Sequence, residues 1–340
     1  MTPRVGVIVP VRDAAGDLPR LLDALSALDW PKESLSVVIV DNGSTDGSRR
    51  LAEAAGHRVI LEPRPGPYAA RNRGWREADS HWAVFTDADC APRPDWLRRL
   101  LAEPIPADVG AIAGEVLALE SVTAVQRFVE ARGLMKHAVT LPHKALDGFS
   151  TANVAIRRDV LVELGGFRDD VVFFGDMELS WRLQIDAGRR IAFRPDAIVL
   201  HRHRRTRNAL WRQAVQHGRG VAFMKSTFPD RYKIHVGEQV TRLAGIGAAT
   251  VRAAAPGGGS DRWRTPGYLA LWYGGMMWGY LQGPAWVRDR KEEPMKEKGA
   301  QPPTKKKPYD QPAIVHAEKI ESHAITRPDD PTCDGGPTQS

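Results

Sequence analysis

Cysteine is nearly missing from this 340-residue chain. Cys90 and Cys333 stand far apart and show no metal-ligand spacing. That argues against a disulfide framework and for a reducing compartment. No Gly-x-Gly-x-x-Gly follows the first apolar run, which disfavours the dinucleotide-binding form of a strand-helix fold. Helix-turn-helix, zinc and aromatic-sheet signatures are also missing, so nucleic acid is not an expected partner. There is no internal repeat. The apolar stretch 5–9 is too short for a signal peptide and runs into Pro10, so it reads as a core strand and the expected location is cytoplasmic.

What is present is ordinary in bulk, with 42% hydrophobic and 26% charged residues, and is long enough for a sizeable core. The net charge of +7 is concentrated. Eight Lys and Arg lie between His201 and Arg231, against Asp230 alone. Basic density of this kind suits phosphate groups or an anionic membrane surface. Residues 268–287 form a run without charge, rich in Trp, Tyr and Gly. Three readings of that run stay open: an interfacial segment, a bilayer span weakened by Gln282 and Pro284, or a packing helix. From about 291 to 340 the chain is polar and rich in Pro, Lys and Glu, and disorder is expected.

The first ninety residues alternate between strand and helix. Apolar runs at 5–9, 37–40, 58–61 and 82–86 read as strands, the first buried on both faces. Between them, Leu18, Leu21, Leu22, Leu25 and Leu28 keep helical spacing behind Asp17, a short helix follows Ser44-Thr45-Asp46, and 68–78 forms another. The pattern predicts βαβ units and a mainly parallel sheet. Farther on, 109–116, 151–156, 191–193 and 198–200 read as strands and 177–187 as a helix closed by Gly188.

Asp87-Ala88-Asp89 closes the fourth strand. In an extended chain these two carboxylates face the same way, at the strand end where open α/β sheets hold ligands. Such oxygen donors suit Mg²⁺ or Mn²⁺ bound with a phosphate-bearing substrate. Asp41 ends the second strand, where its carboxylate can meet a nucleobase or ribose, or simply form a turn in Asp-Asn-Gly. Asp46 reads better as a helix cap. Arg71, on the first turns of a helix, offers a guanidinium fork for diphosphate, or is a surface arginine. Asp176 precedes a helix, where it either caps or takes a proton in a cleft.

Four segments line up in order: Val7-Ile8-Val9-Pro10-Val11-Arg12-Asp13, Val40-Asp41-Asn42-Gly43-Ser44-Thr45-Asp46, Gly66-Pro67-Tyr68-Ala69-Ala70-Arg71 and Phe85-Thr86-Asp87-Ala88-Asp89. Together they resemble the nucleotide-binding half of family 2 glycosyltransferases. Ser150-Thr151-Ala152-Asn153 and Phe174-Gly175-Asp176-Met177-Glu178 resemble the acceptor-side strand and the stretch with the catalytic base. The resemblance runs from about 4 to 205. It implies a GT-A fold: α/β, Rossmann-like, with a mainly parallel central sheet flanked by helices. The expected organisation is a catalytic domain over 1–205 (nucleotide half 1–90, acceptor half 91–205), a helical, membrane-associated extension over 206–290, and the disordered tail over 291–340.

The resemblance also implies roles. Pro10, Val11, Arg12, Asp13, Asp41, Arg71, Asp87 and Ala88 would contact the nucleotide, with UDP the expected base and GDP and dTDP open. Asp89, Asp87 and His201 would hold a divalent metal, Mn²⁺ or Mg²⁺, with Asp89 the more direct ligand. His203 is the alternative to His201, and either can instead lie exposed in a basic loop. Asp176 would be the base of an inverting transfer to a glycan, lipid or small-molecule hydroxyl. Asn153, Gly175 and Glu178 are the acceptor-side candidates, although Gly175 stands where the family often has Glu, and Glu178 also reads as a solubilising helix residue. Trp211-Arg212-Gln213 and Gly218-Arg219-Gly220 read as a lid or acceptor-side element. A peripheral position on the cytoplasmic membrane face is a further expectation. Rival readings are a nucleotidylyltransferase and a nucleotide-sugar-binding protein without turnover.

Overall fold

The computed structural model describes residues 2–142, 145–232 and 264–284. The expected tail over 291–340, and residues 233–263 and 285–290 of the expected extension, lie outside the described residues.

The unbroken apolar run at the amino end becomes β1 (Val5–Val11), buried throughout except for Pro10. It lies between β2 (Leu35–Asp41) and β4 (Trp82–Phe85) and is parallel to both. A strand with neighbours and layers on every side has no polar face to show, which is why its sequence does not alternate. β3 (Arg58–Leu61) closes that edge. The described sheet has eight strands in the order β3-β2-β1-β4-β7-β6-β8-β5. β7 (Val154–Arg157) is inserted antiparallel between β4 and β6 (Val109–Ala118), and the short β5 (Cys90–Pro92) runs antiparallel to β8 (Arg190–His201). The remaining strands share one direction, so the sheet is mainly parallel, as expected.

Helices cover both faces. α1 (Leu18–Ser26) buries Leu18, Leu21, Leu22 and Leu25. Asp17 occupies its N-cap position but caps nothing with its side chain; it pairs with Arg202 instead. α2 (Ser48–Ala54) and α3 (Pro67–Glu77) follow. α3 crosses the sheet closely enough that a Cβ on Gly74 would stand 2.4 Å from Ile8 Cγ2. Next come α4 (Trp96–Leu100), α5 (Ala124–Ala131), α6 (His137–Thr140), α7 (Arg158–Leu164) and α8 (Gly175–Ile185).

Two strand expectations need correction. The runs 191–193 and 198–200 are one strand, β8, whose pairing with β6 shifts register between Gly114 and Glu115. The shift frees backbone carbonyls, and Asn153 Nδ2 satisfies two of them, donating to Glu115 O at 2.9 Å and Ala197 O at 2.8 Å. The strand expected over 151–156 begins only at Val154 because Thr151 and Ala152 are held in a turn.

Beyond β8, α9 (Arg207–Thr227) and α10 (Arg264–Leu281) pack along each other and onto α5. A Cβ on Gly218 or Gly279 would come within 1.9 Å of a carbonyl oxygen on the other helix, so only glycine permits this approach. Tyr268, Leu269 and Trp272 of α10 join Val125, Phe128 and Leu210 in an apolar cluster. One side of the uncharged run is therefore a packing helix, while Met277, Trp278 and Leu281 are exposed. No helix among the described residues is long and apolar enough to cross a membrane.

Candidate active site

The loops leaving β1, β2 and β3 meet at the carboxyl ends of the strands and are laced together by short polar side chains. Asp13, at φ 49°, accepts from Thr45 N at 2.8 Å and from Thr45 Oγ1 at 3.1 Å. Asp46 accepts from Ala15 N at 2.8 Å and from Ser48 N at 3.0 Å, so it ties the loop after β1 to the start of α2, while Gly47 and not Asp46 holds the N-cap position. These bonds, led by the Ser48 hydroxyl, hold its carboxyl below the usual range. Asn42 spans the third loop, donating to Glu62 O and Arg64 O and accepting from Gly66 N at 2.9 Å. These loops wall a cavity of about 530 Å³ lined by Pro10, Val11, Arg12, Asp13, Asn42 and Ala88, among others. Asp41 stands behind that wall rather than on it. It is buried, and its carboxylate accepts from Ser44 N at 3.2 Å, the turn-forming arrangement.

Asp87 and Asp89 do not share a side by strand alternation. β4 ends at Phe85, and the triplet folds into a turn closed by Cys90 N–H on Asp87 O at 3.1 Å. The turn still turns both carboxylates onto the same cavity walls. Asp87 Oδ1 accepts from Arg71 Nη2 at 2.6 Å. Arg71 is no surface arginine: it is 5% exposed, and its Nε is buried without a partner among the described residues. Asp89 faces His201, Oδ1 to Nε2 3.5 Å, with Arg204 at 3.8 Å. β5 brings this about, because Cys90 is paired opposite His201. His203 stands behind, its Nδ1 3.2 Å from that of His201. Burial, and next the neighbouring His201, push His203 down to about 4.

Among the described residues no group of three or more His, Cys, Asp or Glu is arranged to hold a metal ion. The carboxylate of Asp89 and the imidazole of His201 nevertheless fit a divalent cation that draws its other ligands from a bound nucleotide. Asp87, one oxygen committed to Arg71, contributes charge beside them.

A second cavity of about 360 Å³ opens on the other side of Arg71, Asp87, Asp89 and Arg204, which line both. Asp176 lies on its wall, within the first turn of α8 rather than before it. Its carboxylate accepts from Tyr68 Oη at 3.2 Å, Met177 N at 3.0 Å and Thr151 N at 3.4 Å. Burial raises the Asp176 carboxyl above its usual range, and the Arg71 charge opposes that only in part. Burial, and next the Asp176 charge, likewise hold the Tyr68 phenol well above its usual range, so it stays a donor.

The three acceptor-side candidates lie elsewhere. Asn153 is fully buried, with its amide spent on the β6–β8 irregularity and Oδ1 accepting from Trp96 Nε1 at 2.8 Å. Gly175 lies under the Tyr68 ring, where a Cβ would be 2.7 Å from Cε2. Glu178 is 2% exposed and accepts a forked pair from Arg182 at 2.7 and 2.9 Å, so it serves neither acceptor nor solubility. Arg182 in turn donates to Leu164 O and Gly166 O, each at 2.7 Å.

The cavity is lined instead by Tyr68, Ser150 and Gln213, which lie inside the quoted segments without being site candidates, and by Phe173, Gln216 and His217 outside them, among others. Of the expected lid or acceptor-side element on α9, Gln213 lines this cavity, whereas Trp211 is exposed and Gly220 makes room for the Phe174 ring. Arg204 also escaped the motif reading; its signal is the basic run after the last strand.

A family model described as Glycosyl transferase family 2 matches residues 6–165. Glycosyltransferase AglE of Haloferax volcanii is 30% identical over 208 residues, covering 58% of this chain and 67% of that protein. The pre-mycofactocin glycosyltransferase of Mycobacterium tuberculosis is 30% identical over 237 residues, 67% of this chain, and there the chain spans about half (48%) of its relative. Among solved structures, the mannosyltransferase PcManGT from Pyrobaculum calidifontis, in complex with GDP-Man and Mn²⁺, superposes with a TM-score of 0.53 at 26% identity, over 83% of this chain and 84% of that one.

Proposed function

The chain belongs to glycosyl transferase family 2 and has the GT-A fold, and from that premise we propose that it moves a sugar from a nucleoside-diphosphate sugar to an acceptor hydroxyl with inversion. The observation that carries the proposal is the shared wall. Two cavities, one among the strand-end loops and one beside Asp176, meet at Arg71, Asp87, Asp89 and Arg204.

In this reading the first cavity takes the nucleotide, with Arg12, Asp13 and Asn42 around it and Asp41 acting from behind through the turn that it holds. The diphosphate lies at the shared wall, where the unpartnered Nε of Arg71 and the exposed guanidinium of Arg204 meet its charge. Asp89 and His201, helped by Asp87, would hold Mn²⁺ or Mg²⁺, which when bound neutralises charge growing on the departing diphosphate. Asp176 takes the proton of the acceptor hydroxyl. The oxygen's electron pair then forms the bond to the anomeric carbon, and the bond to the diphosphate breaks with its pair leaving on the nucleotide. One displacement from the face opposite the leaving group inverts the configuration. Tyr68 and the Thr151 amide hold the carboxylate in place for this. The donor is UDP-linked in this proposal; the GDP-Man bound by PcManGT makes GDP the alternative to test first.

The test is nucleoside diphosphate release from UDP-glucose, UDP-galactose and GDP-mannose with Mn²⁺, with the product's anomeric configuration read by NMR. Turnover of one donor with inversion is expected, and Asp176→Asn lowers kcat by about 10²–10⁴-fold. Retention of configuration, or an Asp176→Asn variant with native kcat, overturns the mechanism.

A further inference from the structure

The second cavity has a chemical character of its own. Both of its arginines, Arg71 and Arg204, also line the first cavity, and among the described residues no lysine or arginine belongs to it alone. Away from the shared wall it offers neutral groups that accept hydrogen bonds. Gln213 and Gln216 come from one face of α9, and Gln213 Oε1 is buried with no partner among the described residues. A buried amide oxygen of this kind is costly unless something donates to it.

Ser150 presents a second acceptor, and the reason lies one layer deeper. His137 is fully buried, with Nδ1 2.6 Å from Gly114 O. A carbonyl only accepts, so Nδ1 carries the proton and Nε2 carries the lone pair. That lone pair is met by Ser150 N at 2.9 Å and by Ser150 Oγ at 3.0 Å. With no hydrogen on Nε2, His137 donates nothing to the Ser150 hydroxyl, whose oxygen lone pairs stay available to the cavity. Asp176 is a third acceptor. His217, on the same wall, is pushed by burial down to about 4 and stays neutral. The rest of the lining mixes the polar Tyr68, Thr140, Thr151 and His201 with apolar residues that include Phe149, Phe173 and Met177.

A phosphate brings only acceptors and negative charge to such a wall, and finds among the described residues no lysine or arginine there that the donor diphosphate does not already use. A pyranose brings several hydroxyl donors and an apolar face for the phenylalanines. We infer that the acceptor is the uncharged sugar unit of a glycan or glycoside, not a phosphate or a phosphorylated metabolite, and that Gln213 and Ser150 position its hydroxyls for Asp176. This inference rests on the glycosyltransferase reading.

The experiment uses the full chain with the donor it turns over. Methyl and octyl glycosides of glucose, galactose and mannose are compared with glucose 6-phosphate, 3-phosphoglycerate and dodecyl phosphate as stimulants of nucleoside diphosphate release. A neutral glycoside should stimulate release by about 10-fold or more over buffer, and the phosphates should not. Gln213→Leu and Ser150→Ala should each raise the acceptor KM by about 10-fold, the worth of one hydrogen bond to a bound ligand. Calorimetric donor affinity should stay native in both, which also shows that they fold. Stimulation by a phosphorylated compound, failure of every neutral glycoside while the donor binds, or a native acceptor KM in Gln213→Leu would each overturn the inference alone. If no nucleotide binds the native protein, the glycosyltransferase reading falls first and this inference with it.

Discussion

The proposed mechanism concentrates the chemistry in one carboxyl group, Asp176, whose surroundings push its proton affinity up. Burial raises its pKa, Arg71 lowers it in part, and three hydrogen bonds fix its direction. A raised pKa makes a stronger base but requires a higher pH to keep it ionised. The carboxylate is competent above its folded pKa and is lost as pH falls through it. The acidic limb of kcat/KM should therefore lie above the ordinary carboxylate range. A pH–rate profile checks this, and Tyr68→Phe, which removes one bond to the carboxylate, should move the limb farther up. A limb at an ordinary carboxylate pKa in the native enzyme would contradict the assignment of the base.

Elements decide which of the sequence's polar residues reach the site. The strand runs at 5–9, 37–40 and 82–86 were legible because strands buried on both faces leave continuous apolar stretches, and those strands place Pro10–Asp13 and Asp87–Asp89 at the right end of the sheet. Asn153 and Glu178 were misread for a physical reason: a polar residue near a motif looks the same in sequence whether it faces a ligand or repairs the backbone. Asn153 repairs the β6–β8 register shift, an irregularity that no periodicity announces. Ser150, Gln213 and His217 come from a turn and a late helix, and only the fold brings them to one cavity. Asn153→Ala should leave Trp96 Nε1 and two carbonyls unpaired. The expected cost is about 3 kcal/mol, a fall in Tm of about 5 °C or more, with the acceptor KM unchanged. Thermal unfolding and steady-state kinetics on the same sample separate the roles; a native Tm with a raised acceptor KM would restore Asn153 to the acceptor site.

At the scale of the whole molecule, α9 serves two surfaces. Gln213 and Gln216 line the cavity proposed for the acceptor, while Trp211 and Arg212 are exposed. α10 adds exposed Met277, Trp278 and Leu281, and Lys225 on α9 donates to Tyr280 Oη at 3.3 Å. We propose that this apolar and basic surface touches an anionic bilayer without crossing it. Sedimentation with phosphatidylglycerol vesicles should capture the protein several-fold better than with phosphatidylcholine, less so at high salt, and less for Trp278→Ser. Equal recovery from both vesicles would remove the membrane from the account.

The central claim is that a nucleotide binds at the wall shared by the two cavities. Calorimetric titration of UDP, GDP and dTDP, with and without Mn²⁺, on the native protein and on Asp89→Ala tests it most directly. One nucleotide should bind tightly to the native protein with Mn²⁺, and lose most of that affinity when either the metal or the Asp89 carboxylate is removed. Binding that ignores both, or no binding of any of the three nucleotides, would contradict the site as assigned.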